Sequence, residues 1–217
     1  MKTNSINIKR NTLTSWSILA MTAIIFCLSA CKDDDPQKED VPELITKATL
    51  TFTPTGGGAP VMVTATDPDG EGVKSITIDG PINLAPNTTY VLGLSLINGL
   101  AAATDPEYNI SAEVEEEGDE HQFYFAWTNN VFADPAGNGN IDNRVDPVNY
   151  TGASNSKDVN GRNLGLTTTW KTASTTSSAL SGTFRVLLKH QPDLKSDTSD
   201  STTGETDLDI LFIINVQ

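Results

Sequence analysis

Short apolar runs alternating with period two recur along most of the chain, separated by clusters of Gly, Asp, Asn and Pro. Leu208, Ile210, Phe212, Ile214 and Val216 share one face of an extended segment. Phe184, Val186 and Leu188 do the same in the run before it. Successive side chains of a strand point to opposite faces, so this pattern describes strands with one buried side. It predicts strands over 44–53, 60–66, 73–79, 88–96, 109–116, 120–127, 164–170, 182–191 and 206–216. No amphipathic helix of ordinary length stands out. Turn chemistry falls between the runs, as at 54–58, Asp67-Pro68-Asp69-Gly70, Asp79-Gly80-Pro81 and Gly118-Asp119. The expected fold is all-β, a single immunoglobulin-like β-sandwich domain. A chain of this size buries about 70% of its unfolded surface and can stand alone.

The first 30 residues break the pattern. Lys2, Lys9 and Arg10 precede an apolar stretch over 16–28, interrupted only by Ser17 and Thr22. That stretch is too short to cross a hydrocarbon core of about 30 Å. It reads as the h-region of a signal peptide. Leu28-Ser29-Ala30-Cys31 matches a bacterial lipobox, which makes Cys31 the expected lipidation site and residues 1–30 the removed leader. Residues 31–43 then read as lipidated cysteine and acidic tether, and 44–217 as the domain, with a long Asn/Asp/Gly-rich loop over 128–163. Lys32-Asp33-Asp34-Asp35 resembles the lipoprotein export signal of Bacteroidota, which implies an outer-membrane anchor facing the exterior. The membrane is thus an expected partner through the N-terminal lipid.

Charge narrows the function classes. The 217 residues include 14 Lys+Arg against 28 Asp+Glu, a formal charge of −14. Loss of 1–30 removes three basic residues and no acidic one, leaving −17. Nucleic-acid binding needs the opposite balance, so no nucleic-acid partner is expected. The two cysteines, 27 and 31, leave the body without disulfides. No G-x-S-x-G elbow, H-E-x-x-H or free thiol of the mature chain supports catalysis, and the chain is read as a non-enzyme. Trp127 and Trp170 are read as core residues, although the Thr-rich run before Trp170 also allows a surface position.

The candidate chemistry centres on two histidines. His121 shares strand parity with Phe123, Phe125 and Trp127, and His190 with Phe184, Val186 and Leu188. His121 begins its run and His190 ends its own. If these strands are antiparallel neighbours, both imidazoles meet at one end of the sheet. A hairpin closed by loop 192–204 would bring Glu205 and Asp207 there too, and Glu120 adjoins His121. Two imidazoles with carboxylates form a candidate Zn²⁺ or Cu²⁺ site. The alternative is a pair of core-edge histidines, each satisfied by a carboxylate. Asp134, Asn138, Asn140 and Asp142 offer a candidate Ca²⁺ loop, against the alternative of ordinary Asp-Gly and Asn-Gly turns.

Several motifs occur in order: Asp67-Pro68-Asp69-Gly70-Glu71-Gly72, Glu117-Gly118-Asp119-Glu120-His121-Gln122-Phe123-Tyr124-Phe125, Leu188-Lys189-His190-Gln191-Pro192-Asp193 and Gly204-Glu205-Thr206-Asp207-Leu208-Asp209. Together they resemble a family of small surface lipoproteins of Bacteroidota, from about residue 44 to the C-terminus. Members are sometimes labelled type 1 periplasmic-binding proteins. That fold alternates strands and helices over two lobes, unlike the strands seen here. The resemblance implies a setting near TonB-dependent outer-membrane receptors and implies no catalytic residues. The expected function is accessory binding for such an uptake system, capturing a metal ion or small metal-bearing nutrient. The alternative is a structural or adhesive surface lipoprotein that binds a protein or glycan.

Overall fold

The computed structural model describes residues 43–70, 74–142, 146–175 and 178–217. Cys31, the leader and the tether before Glu43 lie outside these residues. The described chain forms β1 (Lys47–Pro54), β2 (Val61–Thr66), β3 (Thr77–Ile78), β4 (Ile82–Leu84) and β5 (Thr89–Ile97). A short helix α1 (Ile110–Glu116) leads into β6 (His121–Trp127) and β7 (Phe132–Asp134). Then follow β8 (Thr167–Thr172), β9 (Leu180–His190) and β10 (Glu205–Val216). Two sheets pack as a sandwich, in orders β3-β2-β1-β5-β8-β7 and β4-β10-β9-β6. The expected all-β sandwich is what the chain adopts. Every paired neighbour is antiparallel except β4 with β10.

The alternating positions of the long strands supply the core. Leu50 and Phe52 of β1 and Leu92 and Leu96 of β5 face Phe123 and Phe125 of β6, Phe184 and Val186 of β9, and Phe212 and Ile214 of β10. Trp170, fully buried, meets Trp127 edge-on at 5.2 Å and Phe184 at 5.1 Å. Such edge-to-face pairs add about 0.5–1.5 kcal/mol each beyond their buried area. Both tryptophans are therefore core residues.

Three expectations change. Residues 109–116 form α1 rather than a strand. Asn109 caps the helix by accepting the Ala112 N–H, and Ile110 and Val114, one turn apart, are the buried pair. Ile110, Ala112 and Val114 also alternate, so the run fits both periods, and packing decided between them. Within 73–79, only Thr77–Ile78 is a strand among the described residues.

The long loop also has structure, in β7 and a 3₁₀ turn at Ser154–Ser156. Its main task is to cover the open edge of β6. The Phe123 N–H donates to the Leu164 carbonyl, that of Phe125 to Asn140 Oδ1, and that of Trp127 to the Asn138 carbonyl. The Phe125 carbonyl accepts from the Asn140 N–H, and the Phe123 carbonyl accepts from the Tyr150 hydroxyl. An uncovered edge would pair with another chain, and these bonds remove that hazard. Gly139 makes the close approach possible: its φ is +104°, and a Cβ there would overlap the Phe125 carbonyl oxygen. Gly139→Ala is expected to cost about 2 kcal/mol or more, read as a lower urea midpoint.

Candidate metal centre

The register places His121 directly opposite His190. Both rings turn inward at the end of the sandwich core, and they stack with centroids 4.5 Å apart and planes within 3°. Asp207 and Glu43 complete the cluster. One ligand atom from each of Glu43, His121, His190 and Asp207 lies within 4.8 Å of the others. His121 Nε2 is 3.0 Å from Glu43 Oε1 and 3.7 Å from Asp207 Oδ2. The side chains of His121 and Asp207 are fully buried, and that of Glu43 is 4% exposed.

Local structure explains each placement. His121 follows the turn that leaves α1, and its Nδ1 lies 3.2 Å from the Glu117 carbonyl. A carbonyl only accepts, so the hydrogen-bond pattern assigns the proton to Nδ1. Nε2 then faces the Glu43 carboxylate at 3.0 Å. A lone pair meets a carboxylate oxygen at 3.0 Å only with a proton or a metal ion between them, and that proton can reside on either group.

Asp207 enters through an irregularity in β10. The register runs Glu205 opposite His190 and Thr206 opposite Lys189, then shifts before Leu208 meets Leu188. A bulge re-aims a side chain, and here the extra residue is Asp207. Glu205 stands opposite His190 in register but is exposed and joins neither ligand group, which corrects its expected role. Glu120 sits beside His190 at 3.5 Å, in a second group with Glu117, rather than in the four-residue cluster.

Burial dominates the electrostatics. It pushes the Asp207 carboxyl up to about 8, reinforced by the Glu43 charge and opposed by His121. Burial also raises Glu43, but its bond to His121 and the charges of both histidines outweigh that and hold it below its ordinary value. Buried carboxyls need compensation, and here it comes from the Asp207–Glu43 hydrogen bond and the His121 imidazole.

Two imidazoles and two carboxylates match the donor set of a closed zinc site. A tetrahedral zinc with bonds of about 2.0–2.1 Å draws its ligand atoms closer together than 4.8 Å. Parallel rings cannot both aim in-plane lone pairs at one ion, so holding one would require an imidazole to turn. Calcium takes six to eight oxygens, which this set does not offer.

In the candidate calcium loop, Asp134 accepts from Asn149, Asn138 donates to Asp142, and Asn140 is held between the Phe125 N–H and the Tyr150 hydroxyl. Asn140 through its side-chain oxygen and Asn138 through its carbonyl take part in covering the edge of β6.

Glu43 was missed as a member of the cluster. Its position at the end of an acidic, Pro-containing stretch reads as tether. Only the apolar Leu44-Ile45 beside it hinted that the domain had already begun.

What fold and cluster define together is an all-β domain with a closed, buried group of two histidines and two carboxylates. No family model, curated protein or solved structure matches the chain.

Proposed function

We propose that this chain is a non-catalytic, lipid-anchored protein of the outer-membrane surface whose sandwich holds a divalent metal ion. Glu43, His121, His190 and Asp207 are the ligands, and Zn²⁺ is the ion their chemistry fits best. Cu²⁺ shares the imidazole preference but favours tetragonal geometry. The setting is accessory binding for a TonB-dependent uptake system, with the ion as cargo or as part of a metal-bearing nutrient. Cys31, the acidic run after it and the family resemblance support the anchor and the setting. The observation that carries the metal reading is the convergence of one ligand atom from each of Glu43, His121, His190 and Asp207 within 4.8 Å, all on side chains no more than 6% exposed. Four protein ligands leave no open coordination position, which favours holding over catalysis.

Titration of metal-stripped protein with Co²⁺ tests this reading. Uptake of one ion with the visible bands of tetrahedral cobalt is the expected result. His121→Ala and Asp207→Asn are each expected to weaken binding by about 100-fold or more, beyond what loss of a supporting partner costs. Glu205→Gln, on an exposed side chain, is expected to change nothing. Absence of uptake, or variants that bind like the parent, would overturn the proposal.

One observation favours the alternative of a structural or adhesive protein with a glycan or protein partner. A polar cleft of about 220 Å³ lies over the outer face of β6, lined by Gln122, Tyr124, Asn140, Arg162, Asn163 and Asp197. That surface would be the place to look for a partner if no metal binds.

A further inference from the structure

Glu43 and Asp207 line a half-open cleft of about 260 Å³, together with Asp67, Asp209 and apolar walls from Leu44 and Leu208. Among the described residues, four carboxylates and no basic side chain line it. Two of the four, Glu43 and Asp207, belong to the buried cluster, so the cleft reaches it. Asp209 is neutralised by a two-point pair with Arg185, at 2.7 and 2.5 Å. Asp67 is different. Its Oδ1 is buried without a partner, and its backbone N–H donates to the Thr46 carbonyl at 2.7 Å, just beyond the segment that carries Glu43. It thus contributes a charge to the wall while standing outside the ligand set. A cleft lined by one sign of charge with low-dielectric walls focuses the field and raises the local concentration of counter-ions.

We propose that a divalent cation reaches the cluster through this cleft, and that Asp67 is the positioning residue that draws it in. The inference rests on the metal-holding reading above. It competes with a route past Glu120, which is 36% exposed and 3.5 Å from His190.

Rapid mixing of the metal-stripped full chain with Co²⁺ measures arrival, and transfer to a chelator measures departure. Asp67→Asn is expected to slow association about threefold at an ionic strength of about 0.02 M. The difference is expected to close near 1 M, where the screening length falls to about 3 Å. Dissociation is expected to stay at the parent rate, and Asp67→Glu to restore the association rate. A salt-independent defect, or one shared by dissociation, would mean a merely structural role and overturn the inference. So would an Asp67→Asn variant as fast as the parent, or a slow Glu120→Gln in its place. If the parent chain takes up no Co²⁺, the metal-holding reading itself falls, and this inference with it. That result is distinct from every variant outcome.

Discussion

Zn²⁺ at a thousand times its dissociation constant is expected to raise the unfolding free energy by about 4 kcal/mol. For a domain of this size, that moves the thermal midpoint up by about 8–16 °C. The gain follows from the ratio of free ion to dissociation constant, for an ion that binds the folded chain and not the unfolded one. Differential scanning calorimetry with and without chelator reads it directly. His121→Ala and His190→Ala are expected to remove the response. The pH dependence has a definite sign. Metal-free Asp207, with its carboxyl pushed up to about 8, holds its proton at neutral pH, so the ion must displace it. The zinc-dependent gain therefore shrinks as pH falls below that value. A midpoint indifferent to Zn²⁺ would leave the cluster as paired core-edge histidines and move attention to the polar cleft over β6.

Lys195→Ala is expected to destabilise the fold by about 3–5 kcal/mol, the loss typical of breaking a buried ion pair from one side. The Lys195 side chain is 1% exposed, and its Nζ lies 3.0 Å from Asp158 Oδ2, itself fully buried. It also donates to the Gly118 carbonyl at 2.5 Å and the His121 carbonyl at 2.7 Å. One ammonium therefore ties loop 192–204 to loop 157–165 and to the start of β6. Burial pulls its pKa below the ordinary lysine value, against the attraction of Asp158. Removal leaves a carboxylate in the interior with no cation and two carbonyls without a donor. Urea unfolding of Lys195→Met and of Lys195→Met with Asp158→Asn separates these contributions. The double variant is expected to recover much of the loss, because it removes both charges together. Full-strength folding of the single variant would show the pair to be dispensable.

The strand that became α1 and the loop that became an edge cover show where local reading stops. Ile110-Ser111-Ala112-Glu113-Val114 satisfies both a two-residue and a four-residue apolar spacing. The helix won because Asn109 caps it and because Leu96 donates its N–H to Ser111 Oγ, a contact from across the fold. In the same way, the Asn and Asp residues of 134–142 carry the chemistry of turns and of cation ligands alike. The open edge of β6 claimed Asn138 and Asn140, and no local pattern announces which strand will lie at an edge.

The sequence alone determined most of the long strands and their inward faces, while the meeting of His121 with His190 waited on β6 and β9 becoming antiparallel neighbours. Period-two burial is a local property, and parity with Phe123 and Leu188 placed both rings on the core side. Tertiary structure decided the rest of the centre. Asp207 faces inward, and Glu205 does not, because of a register shift in β10. Glu43 joins the cluster because the chain entering β1 passes the ends of β6 and β10. Both outcomes depend on which distant segments end up side by side, and that depends on packing of the whole sandwich rather than on the residues nearby.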